Sequence, residues 1–161
     1  MSGGVVLGVD LGTTWTAASV LRAGEAEALT LGEHGAAMPS VVAVADGEVV
    51  AGGRALRAAA DPTVAVREFK RRLGDTTPIV VAGTPYGAET LTGHLLAHVV
   101  AAAREAGAEP DRVVLTHPAT WGDYKLDLLR EAGRVAGLEQ VELVSEPGAA
   151  ARHYARLGRL A

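Results

Sequence analysis

The sequence predicts an α/β protein, a mixed five-stranded sheet flanked by helices, and three observations carry that expectation. Short Val-rich runs closed by Gly, Asp or Pro recur as buried strands do. Longer stretches place apolar residues at helical spacing. From residue 111 onward strand and helix alternate, which implies a parallel sheet with right-handed crossovers. The 161 residues suit one domain, or one lobe of a larger one. With 48% hydrophobic residues but one Phe, two Trp and three Tyr, the core must be built from Ala, Val and Leu.

The elements follow in order. "GVVLGVD" is a short Val-rich strand ended by Gly and Asp, "WTAASVLRAG" a second strand after a D-L-G-T-T turn, and "EAEALTLG" a third. Together they make an antiparallel meander. "PSVVAVADGEVVAGG" is a hairpin, because two Val-rich runs flank Asp46-Gly47, a pair favoured where both turn residues need positive φ. "RALRAAA" is a short helix ended by Asp61-Pro62. Residues 62–75, "PTVAVREFKRRLGD", are predicted helical, with their basic residues bunched where they complement the helix dipole. "PIVVAG" is a strand, and residues 89–107 form the longest helix, with Leu91, Leu95, Val99 and Ala102 along one face and Gly107 as its stop. "DRVVLTHPA" is a strand, residues 122–137 a helix, "QVELVSEP" a strand, and "PGAAARHYARLG" a helix opening on Pro147, where a missing N–H costs nothing. Three antiparallel strands followed by β-α-β-α is the ribonuclease H-like arrangement.

Composition removes several classes of function. Net charge is −4, with 15 basic and 19 acidic residues well mixed, so no basic stripe offers itself to nucleic acid or an anionic membrane. There is no cysteine, which excludes disulfides, thiolate zinc sites and thiol nucleophiles. The N-terminal residues lack a charged segment followed by a long apolar one, and no stretch approaches the roughly 18 apolar residues of a membrane span. A soluble, cytoplasmic protein is expected. A G-x-S-x-G elbow and a Walker-type G-x-x-x-x-G-K-[ST] are both missing.

The residues that could carry chemistry are scattered. In "DLGTTW", Gly12 would let backbone N–H groups converge on a phosphate without a Cβ in the way, and Thr13 and Thr14 add hydroxyl donors. Asp10, at the mouth of that turn, could orient water on a magnesium ion bridging phosphates. The same residues also make an ordinary hairpin turn. Glu146 closes a parallel strand at the end where α/β sheets place ligands, and could position or deprotonate water; it could equally stabilise the positive end of the next helix. Lys70 could offset charge developing on a transferred phosphoryl group, or could be one member of a solvated cluster with Arg67, Arg71 and Arg72. His94 and His98 stand four residues apart without the acidic companion of H-E-x-x-H, so packing is the expectation for them. His117 is expected to line the end of a strand.

With these residues collected, the chain resembles the N-terminal part of the nucleotide-binding domain of the heat-shock protein 70 (DnaK-type) chaperones. The stretches that carry the likeness are "GVDLGTTWTAASV", "MPSVVAV", "FKRRLG" and residues 113–154, in that order. The first is shared with sugar and glycerol kinases of the actin-like ATPase superfamily, whereas the last points to the chaperone branch. The resemblance implies ATP/ADP and Mg as cofactors. It implies Asp10 near the magnesium, through water; Gly12, Thr13, Thr14 and Trp15 as the first phosphate loop; Lys70 on the γ-phosphate; Glu146 arranging the hydrolytic water; and Pro118 as a switch proline. Three positions depart from the family pattern. Trp15 stands where tyrosine or another residue is usual, Gly148 replaces the threonine of E-P-T, and Leu126 occupies the switch-arginine place with Lys125 beside it.

Residues 1–161 are therefore expected to form lobe I of an actin-like ATPase domain, without its second lobe, second phosphate loop or peptide-binding domain. A full-length parent would hydrolyse ATP to drive binding and release of unfolded client peptides, helped by co-chaperones. The lobe alone would be inactive or weak, and its exposed cleft face would allow self-association. The alternatives are the lobe of a sugar kinase, or a nucleotide-sensing scaffold that does not hydrolyse.

Overall fold

A computed structural model describes residues 4–33 and 35–146. Eleven strands and three α-helices are defined among them: β1 (Val6–Leu11), β2 (Trp15–Arg22), β3 (Glu25–Ala28), β4 (Met38–Pro39), β5 (Val41–Ala45), β6 (Glu48–Ala51), α1 (Gly53–Ala58), β7 (Ala65–Arg67), β8 (Ile79–Val81), β9 (Thr84–Tyr86), α2 (Ala88–Glu105), β10 (Arg112–His117), α3 (Asp123–Val135) and β11 (Glu142–Ser145). The main sheet has the order β11-β10-β1-β2-β3, with β1, β10 and β11 parallel and the β1-β2-β3 meander antiparallel. This is the predicted five-stranded mixed sheet, with β4 added as a short partner of β2.

Alternation along the strands decides which face is buried. Leu7, Val9 and Leu11 of β1 and Val113 and Leu115 of β10 point into the core, where they meet Leu91, Leu95, Leu96, Val99 and Val100 of α2 and Leu129 of α3. Ala102 on the predicted α2 face is only half-buried. The two helices form one layer, and Gly93 of α2 lets them approach: a Cβ there would stand 2.8 Å from the Ala132 carbonyl oxygen. Gly107, at φ 84°, ends the α2 region as expected.

The Asp46-Gly47 hairpin forms as predicted, with φ of 52° and 78° at its two turn residues. It does not join the main sheet but pairs with β7 in a separate three-stranded sheet of order β6-β5-β7. Strand β8 likewise stands apart, paired among the described residues with β9 alone through a turn at Ala82 and Gly83, both at positive φ.

The helix expected over residues 62–75 is a correction. Ala65–Arg67 is a strand, paired Val41↔Arg67, Val42↔Val66 and Ala43↔Ala65, and Phe69–Arg72 is a single 3-10 turn. Val64 and Val66 alternate at the strand period, and the β-branched side chains fit the pleated edge that β5 offers. Glu68 then takes φ 55°, a left-handed conformation costing roughly 1 kcal/mol for a residue with a Cβ, which breaks any helix there. The helix expected from Pro147 lies outside the described residues.

Candidate functional site

Parallel strands share one direction, so β1, β10 and β11 end at the same edge of the sheet, and whatever follows each of them meets there. Asp10 comes from the end of β1, Pro118 follows β10, and Glu146 follows β11. Lys70 reaches the same place from the 3-10 turn after β7, which Phe69 anchors in the main core. The result is a cleft of about 360 Å³ in which Asp10, Gly12, Thr13, Lys70 and Glu146 meet Arg71, Pro118, Trp121 and Lys125. Residues separated by more than a hundred positions in the chain therefore share one wall.

The hairpin that opens the chain is built around Gly12. A Cβ there would collide with the Trp15 carbonyl oxygen, so the turn closes only with glycine. Ser40 locks it from the side: its Oγ donates to the Gly12 carbonyl at 2.7 Å, its N–H donates to the Thr14 carbonyl at 2.8 Å, and its hydroxyl shares a buried hydrogen bond of 2.8 Å with Thr16 Oγ1. With the carbonyls of Gly12 and Thr14 engaged by Ser40, the loop's shape is set before any ligand arrives.

Asp10 is exposed and accepts a 3.2 Å hydrogen bond from Thr116 Oγ1 on the neighbouring strand. Lys70 is only 9% exposed. Its Nζ lies 3.8 Å from Glu146 Oε1, too long for a hydrogen bond, so charge rather than a shared proton holds the pair. Burial pulls the Lys70 ammonium below its ordinary value, while the charges of Glu146 and then Asp10 oppose that pull. Lys70 also sits 5.4 Å from the centre of the Trp121 ring, and Lys125 5.6 Å from it. Three cations, Lys70, Arg71 and Lys125, face two carboxylates across the cleft.

Of the sequence-predicted residues, the structure gathers Asp10, Gly12, Thr13, Lys70, Glu146 and Pro118. It does not place the side chains of Thr14 and Trp15 with them. Trp15, 58% exposed, lines a separate apolar groove with Leu31, Met38 and Leu56, because the strand's alternation turns it away from its buried neighbour Thr16. Leu126 is outside the cleft while Lys125 lines it, and Gly148 lies outside the described residues. His94 and His98 line a different hollow beside Glu33 and Arg57. Among the described residues no three His, Cys, Asp or Glu side chains group closely enough to hold a metal ion. His117 Nδ1 bonds the Pro118 carbonyl at 2.9 Å at the end of β10. Ser40 and Trp121 were missed in the sequence. A serine before a Val-rich strand and a tryptophan after H-P-A-T carry no local signal of a site, since their partners lie far along the chain.

Comparison with known proteins identifies the family. The family model described as Hsp70 protein matches residues 6–81 and 75–155. The chaperone protein DnaK of Elusimicrobium minutum (strain Pei191) is 38% identical over 156 residues, covering 92% of this chain and 25% of that protein. The chaperone protein DnaK of Mycoplasma mycoides subsp. mycoides SC is 31% identical over 150 residues, with the same two coverages. The chain belongs to the Hsp70 family, and its mixed sheet and helices are those of the family's actin-like ATPase lobe. It spans about a quarter of the length of the curated relatives it matches.

Proposed function

We propose that this chain is lobe I of an Hsp70-type nucleotide-binding domain and holds the phosphates of ATP in the Lys70 cleft. The observation that carries the reading is the meeting of Gly12, Thr13, Lys70, Asp10 and Glu146 in one cleft, although they come from three separated segments. The Gly12–Trp15 turn offers backbone N–H groups and the Thr13 hydroxyl to phosphate oxygens. Lys70, fixed by burial, offsets the charge that develops on the transferred phosphoryl group. Glu146, half-exposed, is free to orient and accept a proton from an attacking water.

The donors near Asp10 are all oxygen: its own carboxylate, the Thr116 hydroxyl and Glu146. That set suits magnesium, a hard cation that keeps most of its waters, and fits an ion held through water rather than by a protein cage. When bound, magnesium would neutralise phosphate charge. In a longer protein carrying this lobe, ATP turnover would drive binding and release of unfolded peptides with co-chaperones, in the cytoplasm. Among the described residues no helix is long and apolar enough to cross a membrane.

The test is a titration of the 161-residue chain with Mg·ATP followed by amide NMR. The Gly12–Trp15 amides are expected to move first, and Lys70→Ala to weaken binding about tenfold, as loss of a charge-assisted phosphate contact does. Shifts confined to another surface, or affinity indifferent to Lys70, would overturn the reading. Hydrolysis by this lobe alone is expected to be feeble, because the cleft is open to solvent; brisk single-turnover cleavage would contradict that.

A further inference from the structure

Lys125 stands in the first turn of α3, the positive end of the helix, where a cation is disfavoured. Its Nζ shares the Trp121 ring with Lys70 Nζ, and Arg71 lines the same cleft. Lys70 has Glu146 as a counter-charge, but among the described residues no carboxylate pairs with Lys125. Nor is its place a matter of chance packing. Its Cγ and Cε lie over Gly74, at φ 92°, two residues past the turn that carries Lys70; a Cβ on that glycine would stand 3.6–3.7 Å from them. The Trp121 backbone is held in place, its main-chain N–H donating to the Pro118 carbonyl at 3.1 Å. Two ammonium groups on one indole, beside an arginine and a helix N-terminus, repel one another until an anion enters the space they face.

We propose that Lys125 is a second phosphate-contacting residue of this cleft, and that Trp121 is the positioning residue holding Lys70 and Lys125 toward one phosphate group. The proposal rests on the phosphate reading above and adds to it a cation on the α3 side. Trp121 supplies a rigid face that limits the rotamers of both lysines, so less freedom is lost when a phosphate binds.

Calorimetric titration of the whole chain with inorganic tripolyphosphate, and in parallel with ATP, tests it. Lys125→Met keeps the aliphatic stem over Gly74 and is expected to weaken both ligands about fivefold to tenfold, with Lys125→Arg recovering most of the loss. Trp121→Leu should weaken them about as much, Trp121→Phe should restore them, and the Trp121→Leu/Lys125→Met double variant should lose little more than either single one. In the unaltered chain the Lys125 ε-methylene protons should show a ring-current shift that changes on adding tripolyphosphate, a reading that does not depend on any variant folding. If Lys125→Met binds within twofold of the unaltered chain while Lys70→Met is weakened, the proposal fails and the phosphate reading stands. A loss seen with ATP but not tripolyphosphate, or an unmoved methylene signal, overturns it as well. If the unaltered chain binds neither ligand, both readings fall together.

Discussion

The main sheet and the three-stranded sheet both pack against α2, yet their interiors differ. The main core joins long side chains, Leu7, Leu11, Leu91, Leu95, Leu96, Leu115 and Phe69 among them, from two helices and the central strands. The smaller sheet splits its residues. Val42 and Ala51 turn toward the main core, while Val41, Ala43 and Val50 close a separate cluster with Ala55 of α1. The first region holds Asp10, Thr116 and Glu146 at the ends of parallel strands; the second delivers Lys70 through β7 and a strained residue at Glu68. A site assembled this way takes its carboxylates from the strands of the main sheet and its buried cation from the segment that follows the smaller one. Phe69, buried in the main core directly before Lys70, ties the two together.

The sharpest way to break this comparison is to empty each interior in turn. Leu96→Ala should cost about 4 kcal/mol in urea unfolding, from lost burial plus the cavity left in a fully packed layer. Val41→Ala, which removes two buried methyl groups from the small cluster, should cost about 2 kcal/mol. Native-state hydrogen exchange should then show β5–β7 opening before the main sheet. Equal costs, or an opening that begins in β1 and β10, would abolish the distinction.

A smaller effect tests the junction. Lys70→Met removes a buried ammonium while leaving Glu146 exposed enough to be solvated, so the variant should be about 1 kcal/mol more stable near neutral pH, even as the proposed phosphate affinity falls. The pH dependence has a definite sign. Because burial depresses the native Lys70 value below 10.5, the unfolded chain binds more protons between the two values, and stability of the unaltered chain rises with pH through that window. The gain from Lys70→Met should therefore shrink as pH approaches 10.5. A variant less stable at every pH would show that Lys70 serves the fold and not the site.

The smallest effect lies where α2 meets the small sheet. His98 packs against Gly52, and burial lowers its value below 6.5, with Glu105 opposing. The unfolded chain takes up the proton first, so stability should fall as pH drops below 6.5 toward the depressed value. The ring is only partly buried, so the change should stay under about 1 kcal/mol, and His98→Gln should flatten it. An unchanged slope in that variant would place the titration elsewhere.

Much of this was legible in local sequence. Strand alternation, the Asp46-Gly47 turn, the long α2 stripe and the β-α-β run have signals confined to neighbouring residues, and so do the glycine and hydroxyls of the opening turn. The misreading of residues 62–75 shows the limit. Val64 and Val66 could serve a strand or the flank of a helix, and only the free edge of β5 decided between them. The partnership of Ser40 with Gly12 and Thr14, and of Trp121 with two lysines, has no local trace at all.

The sequence by itself determined the kinds of element, the sheet's mixed character and the identity of the groups suited to phosphate, because backbone propensity and hydrophobic period are properties of short windows. Only the tertiary structure decided that Lys70 is buried rather than solvated with its arginine neighbours, that Trp15 faces away from the cleft, and that Lys125 faces into it. Burial and charge partnership depend on which distant segments a residue meets. Here those meetings are set where three parallel strands end and a second sheet leans against them.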